Sequence, residues 1–203
     1  MRKLIFFIVL CLLSVCAFAD HYPFSMVVFP AGINASIGAG PAANGQVTEV
    51  ISKAINSKPS LCALCFNKEN GMVKKLAEEG VLEESDLVDA VPFEDCERIS
   101  SSMDADGYCI VYVKSFSNDT KALIAEVVVN VKIYKNGVDK PIFDQDVKGR
   151  YDGFKGYWKK ATDAKVFENS LYYCRLALEK KLAKLNGYEY KDYRKVELVL
   201  PEE

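Results

Sequence analysis

Gly107-Tyr-Cys-Ile-Val-Tyr-Val-Lys114 opens the stretch that decides the fold, and the pattern it starts continues to Tyr151. These first eight residues are apolar on both alternating faces, as suits a central strand covered on two sides. The polar cluster Ser117-Asn-Asp-Thr120 reads as a turn. Over Lys121 to Lys135, Leu123, Ala125, Val127, Val129, Val131 and Ile133 share one parity, while Glu126, Asn130, Lys132 and Tyr134 share the other. A period of two held this long in so β-branched a segment predicts a strand. Asn136-Gly137 predicts a hairpin, because both residues tolerate positive φ. Beyond it Phe143, Gln145, Val147, Gly149 and Tyr151 alternate with Ile142, Asp144, Asp146, Lys148 and Arg150, so the third strand of this meander is half-solvated.

Working outward, Phe24 to Phe29 is a short apolar run ended by Pro30 and predicts a buried first strand. Ala31 to Gly45, rich in Gly, Ala and Asn, predicts a loop. From about Gln46, Val47, Val50, Ile51, Ala54 and Ile55 follow helical spacing until Lys58-Pro59 stops them. Ser60 to Phe66 predicts a second strand, and Lys68 to Glu79 a helix with Gly80 as its left-handed cap. A short helical turn near Val81 to Val88 and a helix opened by Pro92 lead into Gly107. After the meander, Phe167, Leu171, Cys174, Leu178, Leu182 and Leu185 stripe a last long helix, capped by Thr162 or Asp163 and ended at Asn186-Gly187. The order β-α-β-α-(α)-α-β-β-β-α predicts an α/β fold: a mixed sheet with a C-terminal three-strand antiparallel meander and helices packed on it.

The first residues read as a targeting segment. Arg2-Lys3 is a basic start, Leu4 to Val15 an apolar run too short to span a bilayer, and Ala17-Phe18-Ala19 a small-x-small cleavage site. A signal peptide over 1–19 is expected, leaving one domain over 20–203, with its core at 22–187 and a charged tail at 188–203. Leu13-Ser14-Val15-Cys16 loosely resembles a lipobox, so lipid anchoring at Cys16 is the less favoured alternative. Cleavage would remove Arg2, Lys3 and no acid, taking the formal charge from −2 to −4. That mild, unclustered acidity argues against nucleic acid and anionic membrane surfaces. No second apolar run is long enough to span a membrane, and an exported protein, periplasmic or extracellular, is expected.

Five cysteines would remain: Cys62, Cys65, Cys96, Cys109 and Cys174. An oxidising compartment permits disulfides, and the odd count leaves at least one thiol out of any internal pairing.

Several segments are familiar in combination: Val28-Phe29-Pro30, the helix Val47-Thr-Glu-Val-Ile-Ser-Lys-Ala-Ile55, Glu79-Gly-Val-Leu-Glu-Glu-Ser-Asp-Leu87, and Met103-Asp-Ala-Asp106-Gly107 before the strand Tyr108 to Val113. Together they resemble the bacterial envelope domains similar to the TolB amino-terminal domain and the curli-secretion lipoprotein CsgG. The chain departs from that pattern at Lys114, where a glycine is common, and it has no evident pore-forming segment. The resemblance implies a non-catalytic envelope module for assembly or partner binding. It supplies no catalytic residue.

The residues themselves nominate few chemical sites. Gly38-Ala-Gly40-Pro-Ala-Ala43 matches a dinucleotide-binding pattern, yet it lies well past the strand and Pro41 removes a donor. Cys62-x-x-Cys65 would form a redox pair at a helix N-terminus, whereas inside a strand i and i+3 point to opposite faces. His21 is the only histidine, so no histidine-based triad forms elsewhere. Asp104 with Asp106, and Asp144 with Asp146, lack the loop of a calcium hand. No cofactor, metal or catalytic residue is expected. The best binding candidate is Tyr151, Phe154, Tyr157 and Trp158 with Lys155, Lys159 and Lys160 interleaved. Rigid amphipathic rings beside cations suit an envelope protein or peptide, or a glycan. The alternatives are a thiol redox factor or other enzyme centred on Cys62 and Cys65, and a small-ligand carrier using the Ala31–Gly45 loop.

Overall fold

The computed structural model describes residues 23–33, 42–88, 90–153 and 162–185. The elements are β1 (Phe24–Ile33), α1 (Ala42–Asn56), β2 (Leu61–Cys65), α2 (Gly71–Glu78), a 3-10 turn (Glu84–Asp86), α3 (Phe93–Ser102), β3 (Gly107–Asp119), β4 (Ile124–Lys135), β5 (Phe143–Asp152) and α4 (Asp163–Leu185). One five-stranded sheet holds them in the order β2-β1-β3-β4-β5, parallel from β2 to β3 and antiparallel from β3 to β5. The fold is mixed α/β with a C-terminal meander followed by a helix, and the 3-10 turn takes the place of the bracketed helix.

Helices lie on both faces of the sheet. On one, Val47, Ile51, Ala54 and Ile55 of α1 and Phe167, Leu171, Cys174, Leu178 and Leu182 of α4 bury Met26, Val28, Val111, Val113, Val127, Val129 and Val131. On the other, Val73 of α2 and Cys96 and Ile99 of α3 cover Val27, Phe29, Tyr108 and Tyr134. Strand β1 is therefore apolar at both parities because both of its faces are covered. Its start is tied to that of β3: Ser25 donates through N–H and Oγ to Asp106 Oδ2, each at 2.8 Å. The Ser25 N–H is the main reason the Asp106 carboxyl sits below its ordinary range.

Several boundaries differ from the expectation. Strand β1 continues through Pro30 to Ile33. The Phe66 N–H donates to the Val28 carbonyl, so residue 30 also turns towards β2, which has ended by then. The proline's missing N–H therefore removes no ladder bond. Helix α1 starts at Ala42, so Ala42–Gly45 form its first turn and Ala31–Ile33 belong to β1. Asn136-Gly137 does not make a two-residue hairpin: β4 ends at Lys135 and β5 begins only at Phe143. Of the pair only Gly137 takes positive φ, at 76°. The Asn136 side chain donates to the Ala105 carbonyl and Glu97 accepts the Gly137 N–H, so α3 and its exit hold the turn open. Leu123 lies in the preceding turn rather than on β4, with φ at 58°.

A β-bulge is a further difference. Val113 pairs with Val129 and Ser115 with Val128, leaving Lys114 as the extra residue. The parity of β3 switches there, so Phe116 joins Val111 and Val113 on the α4 face, its ring 5.0 Å from that of Phe167.

Candidate interaction surface

Helices α2 and α3 cover only part of their face of the sheet. Register aligns Tyr108 with Tyr134, then Ile110 with Lys132 and Asp144, then Tyr112 with Asn130 and Asp146, then Ser115 with Val128 and Lys148. The first row is aromatic and roofed by Phe93 of α3, whose ring centroid lies 5.6 Å from Tyr134, which stacks on Tyr108 at 4.9 Å. Burial there pushes the Tyr108 phenol up to about 12.

Beyond that row the face opens into a shallow depression of about 600 Å³ lined by Tyr112, Lys114, Asn130, Lys132, Asp144 and Asp146. Its charges answer one another. Lys114 reaches Asp146 at 2.7 Å, Lys132 reaches Asp144 at 3.3 Å, and Asn130 donates to both carboxylates. The Lys114 hydrogen bond is the main reason the Asp146 carboxyl is held low. Pairs this exposed contribute about 0–1 kcal/mol each, so a partner of matching charge could replace them at little cost. No group of three His, Cys, Asp or Glu side chains able to hold a metal ion occurs among the described residues.

Cys62 and Cys65 both lie on β2, where three residues' separation puts them on opposite faces; Cys62 is exposed and Cys65 half-buried. Neither is at a helix N-terminus, and burial pushes the Cys65 thiol up rather than down. Burial likewise raises Cys96 and Cys174 to about 12, and raises Cys109. All five are free thiols.

Tyr151 is half-buried near the end of β5, packed against Ala125 and Val166. Its ring lies 6.1 Å from Tyr173 of α4, which in turn meets Tyr172 edge-on at 5.5 Å. Tyr172 and Tyr173 are 46% and 41% exposed, so an aromatic group stands where β5 gives way to the 154–158 segment. Phe154, Tyr157 and Trp158 lie outside the described residues, as does 34–41 of the Ala31–Gly45 segment. The α4 tyrosines were passed over in the sequence because Leu171 and Cys174 claimed that helix for the core. Their off-stripe positions were the available signal.

No family model and no curated protein matches the chain. Solved structures similar to it include the hypothetical protein CT253 from Chlamydia trachomatis, at 12% identity over 82% of this chain and 97% of that one, with a TM-score of 0.48. The PelC dodecamer from Paraburkholderia phytofirmans is similar at 10% identity over 78% and 87%, with a TM-score of 0.45. Lipoprotein GNA1162 from Neisseria meningitidis is similar at 15% identity over 68% and 91%, with a TM-score of 0.42. Among the described residues no helix is long and apolar enough to cross a membrane.

Proposed function

We propose that this chain is an exported, non-catalytic binding or assembly module of the bacterial cell envelope. In this reading it is a single domain after its leader and engages an envelope protein, peptide or glycan through the aromatic segment Tyr151–Trp158. Support comes from the targeting pattern of residues 1–19 and from the resemblance to the TolB amino-terminal and CsgG-like envelope domains. The observation that carries the choice of surface is the exposure of Tyr172 and Tyr173 beside Tyr151. Large rings held on a rigid helix lose little freedom on binding and dominate interface energies.

A photo-reactive residue placed in the native host at Trp158, at Tyr172, or at Lys75 on α2 as control tests the proposal. The expected result is one envelope component captured from Trp158 and Tyr172 and absent from Lys75. Capture no different from the Lys75 control, with the protein folded and abundant, refutes the aromatic surface.

A further inference from the structure

Among the described residues the sheet has two edges, β2 and β5, and only β2 is closed. Ser60 and Phe66 bond to β1, so Leu61, Ala63 and Cys65 of β2 turn their backbone outward by alternation. At the middle of that edge the Asn56 side chain donates to the Ala63 carbonyl at 2.9 Å and accepts the Ala63 N–H at 2.6 Å, taking the place of a neighbouring strand. Strand β5 is twice as long as β2. The bonds Asn136 N–H to Asp106 and Gly153 N–H to Leu123 fix the parity on both sides of β4. Phe143, Gln145, Val147, Gly149 and Tyr151 therefore bond to β4, while Asp144, Asp146, Lys148, Arg150 and Asp152 present N–H and C=O outward. In this row Lys181 Nζ donates to the Asp146 carbonyl at 3.1 Å, which leaves that oxygen's second lone pair.

We infer that two copies of the chain pair antiparallel through β5, about a two-fold axis at Val147, into one continuous sheet. The charge order along the free edge selects both the partner and the register. Centred on Val147, Asp144 faces the partner's Arg150 and Asp146 faces the partner's Lys148, and the symmetry repeats both pairs. All four facing pairs are opposite in sign. Centred one outward residue on, at Lys148 with its equivalent, the pairing would set Lys148 against Lys148 and Asp144 against Asp152. Opposite charges directly across antiparallel strands stabilise, and like charges destabilise. Each facing pair also exchanges two backbone hydrogen bonds. Residues following α4 suit this edge less well as occupant. With α1 and α4 on one face and β5 parallel to β1, a strand laid parallel outside β5 would give a crossover of opposite hand to β1–α1–β2. Almost all such crossovers share one hand.

The test uses the full gene, exported with its own leader, and sedimentation equilibrium of the purified protein. Wild type should be dimeric, weakening with salt. Asp144→Lys with Asp146→Lys makes every seam pair repulsive, as does Lys148→Glu with Arg150→Glu. Each double variant alone should self-associate at least ten-fold more weakly than wild type. Mixed, the two restore complementarity at all four pairs and should form a heterodimer. Lys148→Pro removes an outward N–H without touching the β4 ladder and should yield a folded monomer by circular dichroism. A monomeric wild type, variants that still dimerise alone, or a mixture that stays monomeric overturns the inference.

Discussion

At Gly149 the backbone of α4 lies close against β5, and replacing the glycine with alanine measures how tightly α4 is seated. A Cβ at Gly149 would lie 2.5 Å from the Cys174 backbone nitrogen and 2.8 Å from the Cys174 Cβ, and closer still to the Ser170 carbonyl oxygen. Ordinary contact begins near 3.4 Å, and the obstructing atoms are mostly backbone, so no rotamer change relieves the clash. The helix must lift by roughly 1 Å, and Leu171, Cys174 and Leu178, all fully buried, then lose close packing against Val127, Val129 and Val147. Overpacking costs about 1–3 kcal/mol, and a backbone clash belongs at the upper end. For a chain of this size, about 3 kcal/mol corresponds to a Tm lowered by about 6–12 °C. Thermal unfolding followed by circular dichroism reads this directly. Gly45→Ala, at an exposed position of α1 with nothing within 4 Å of the added carbon, is the matched control and should hold or raise Tm. A Gly149→Ala protein melting within about 2 °C of wild type would refute the close seating of α4 on β5.

Two other substitutions probe the remaining ties. Asn56→Ala strips both partners from Ala63 and should cost about 1–3 kcal/mol in urea unfolding, with earlier aggregation by light scattering as the β2 edge is uncovered. Asp86→Asn addresses the buried carboxylate that accepts the Glu83 N–H at 2.9 Å and pairs with Arg98. The Arg98 hydrogen bond is the largest cause holding its folded-state pKa below the ordinary value. Asp86 thus adds stability above its unfolded pKa of about 3.9, which is lost as pH falls through the folded value. Asp86→Asn should unfold about 1–3 kcal/mol more easily at pH 7, and the gap to wild type should close in acid below about pH 4.

The meander was legible because β4 alternates cleanly from Ala125 to Ile133, a pattern that only a half-covered strand sustains. The bulge at Lys114 has a trace in the sequence: Val111 and Val113 share a parity that Phe116 breaks. Asn136-Gly137 misled because local turn preference was overridden from a distance, by Ala105 and Glu97. The sheet order was hidden for the same reason. Nothing near β1 announces that it pairs with a strand beginning at Gly107, and so nothing in β5 announces that it is an edge. The charges of Asp144 to Arg150 were legible as a solvated face. Their order gains meaning only once that edge is known. Nothing local to Asn56 marks it as the residue that caps Ala63 on the β2 edge, since that contact exists only once α1 and β2 are packed together.

The Ser25–Asp106 tie joins groups 81 residues apart, and β1 lies between β2 and β3 rather than at a margin. A chain delivered N-terminus first, from a ribosome or through a membrane, therefore presents β1 and β2 long before the strand that completes them. The hairpins β3–β4 and β4–β5 close short loops, and hairpins as a class form on the microsecond scale, while the junction of β1 with β3 bridges 81 residues and carries a larger loop-closure cost. Until β3 has emerged, β1 and β2 have no third strand to pair with, and until α4 has emerged α1 lacks the helix that packs beside it.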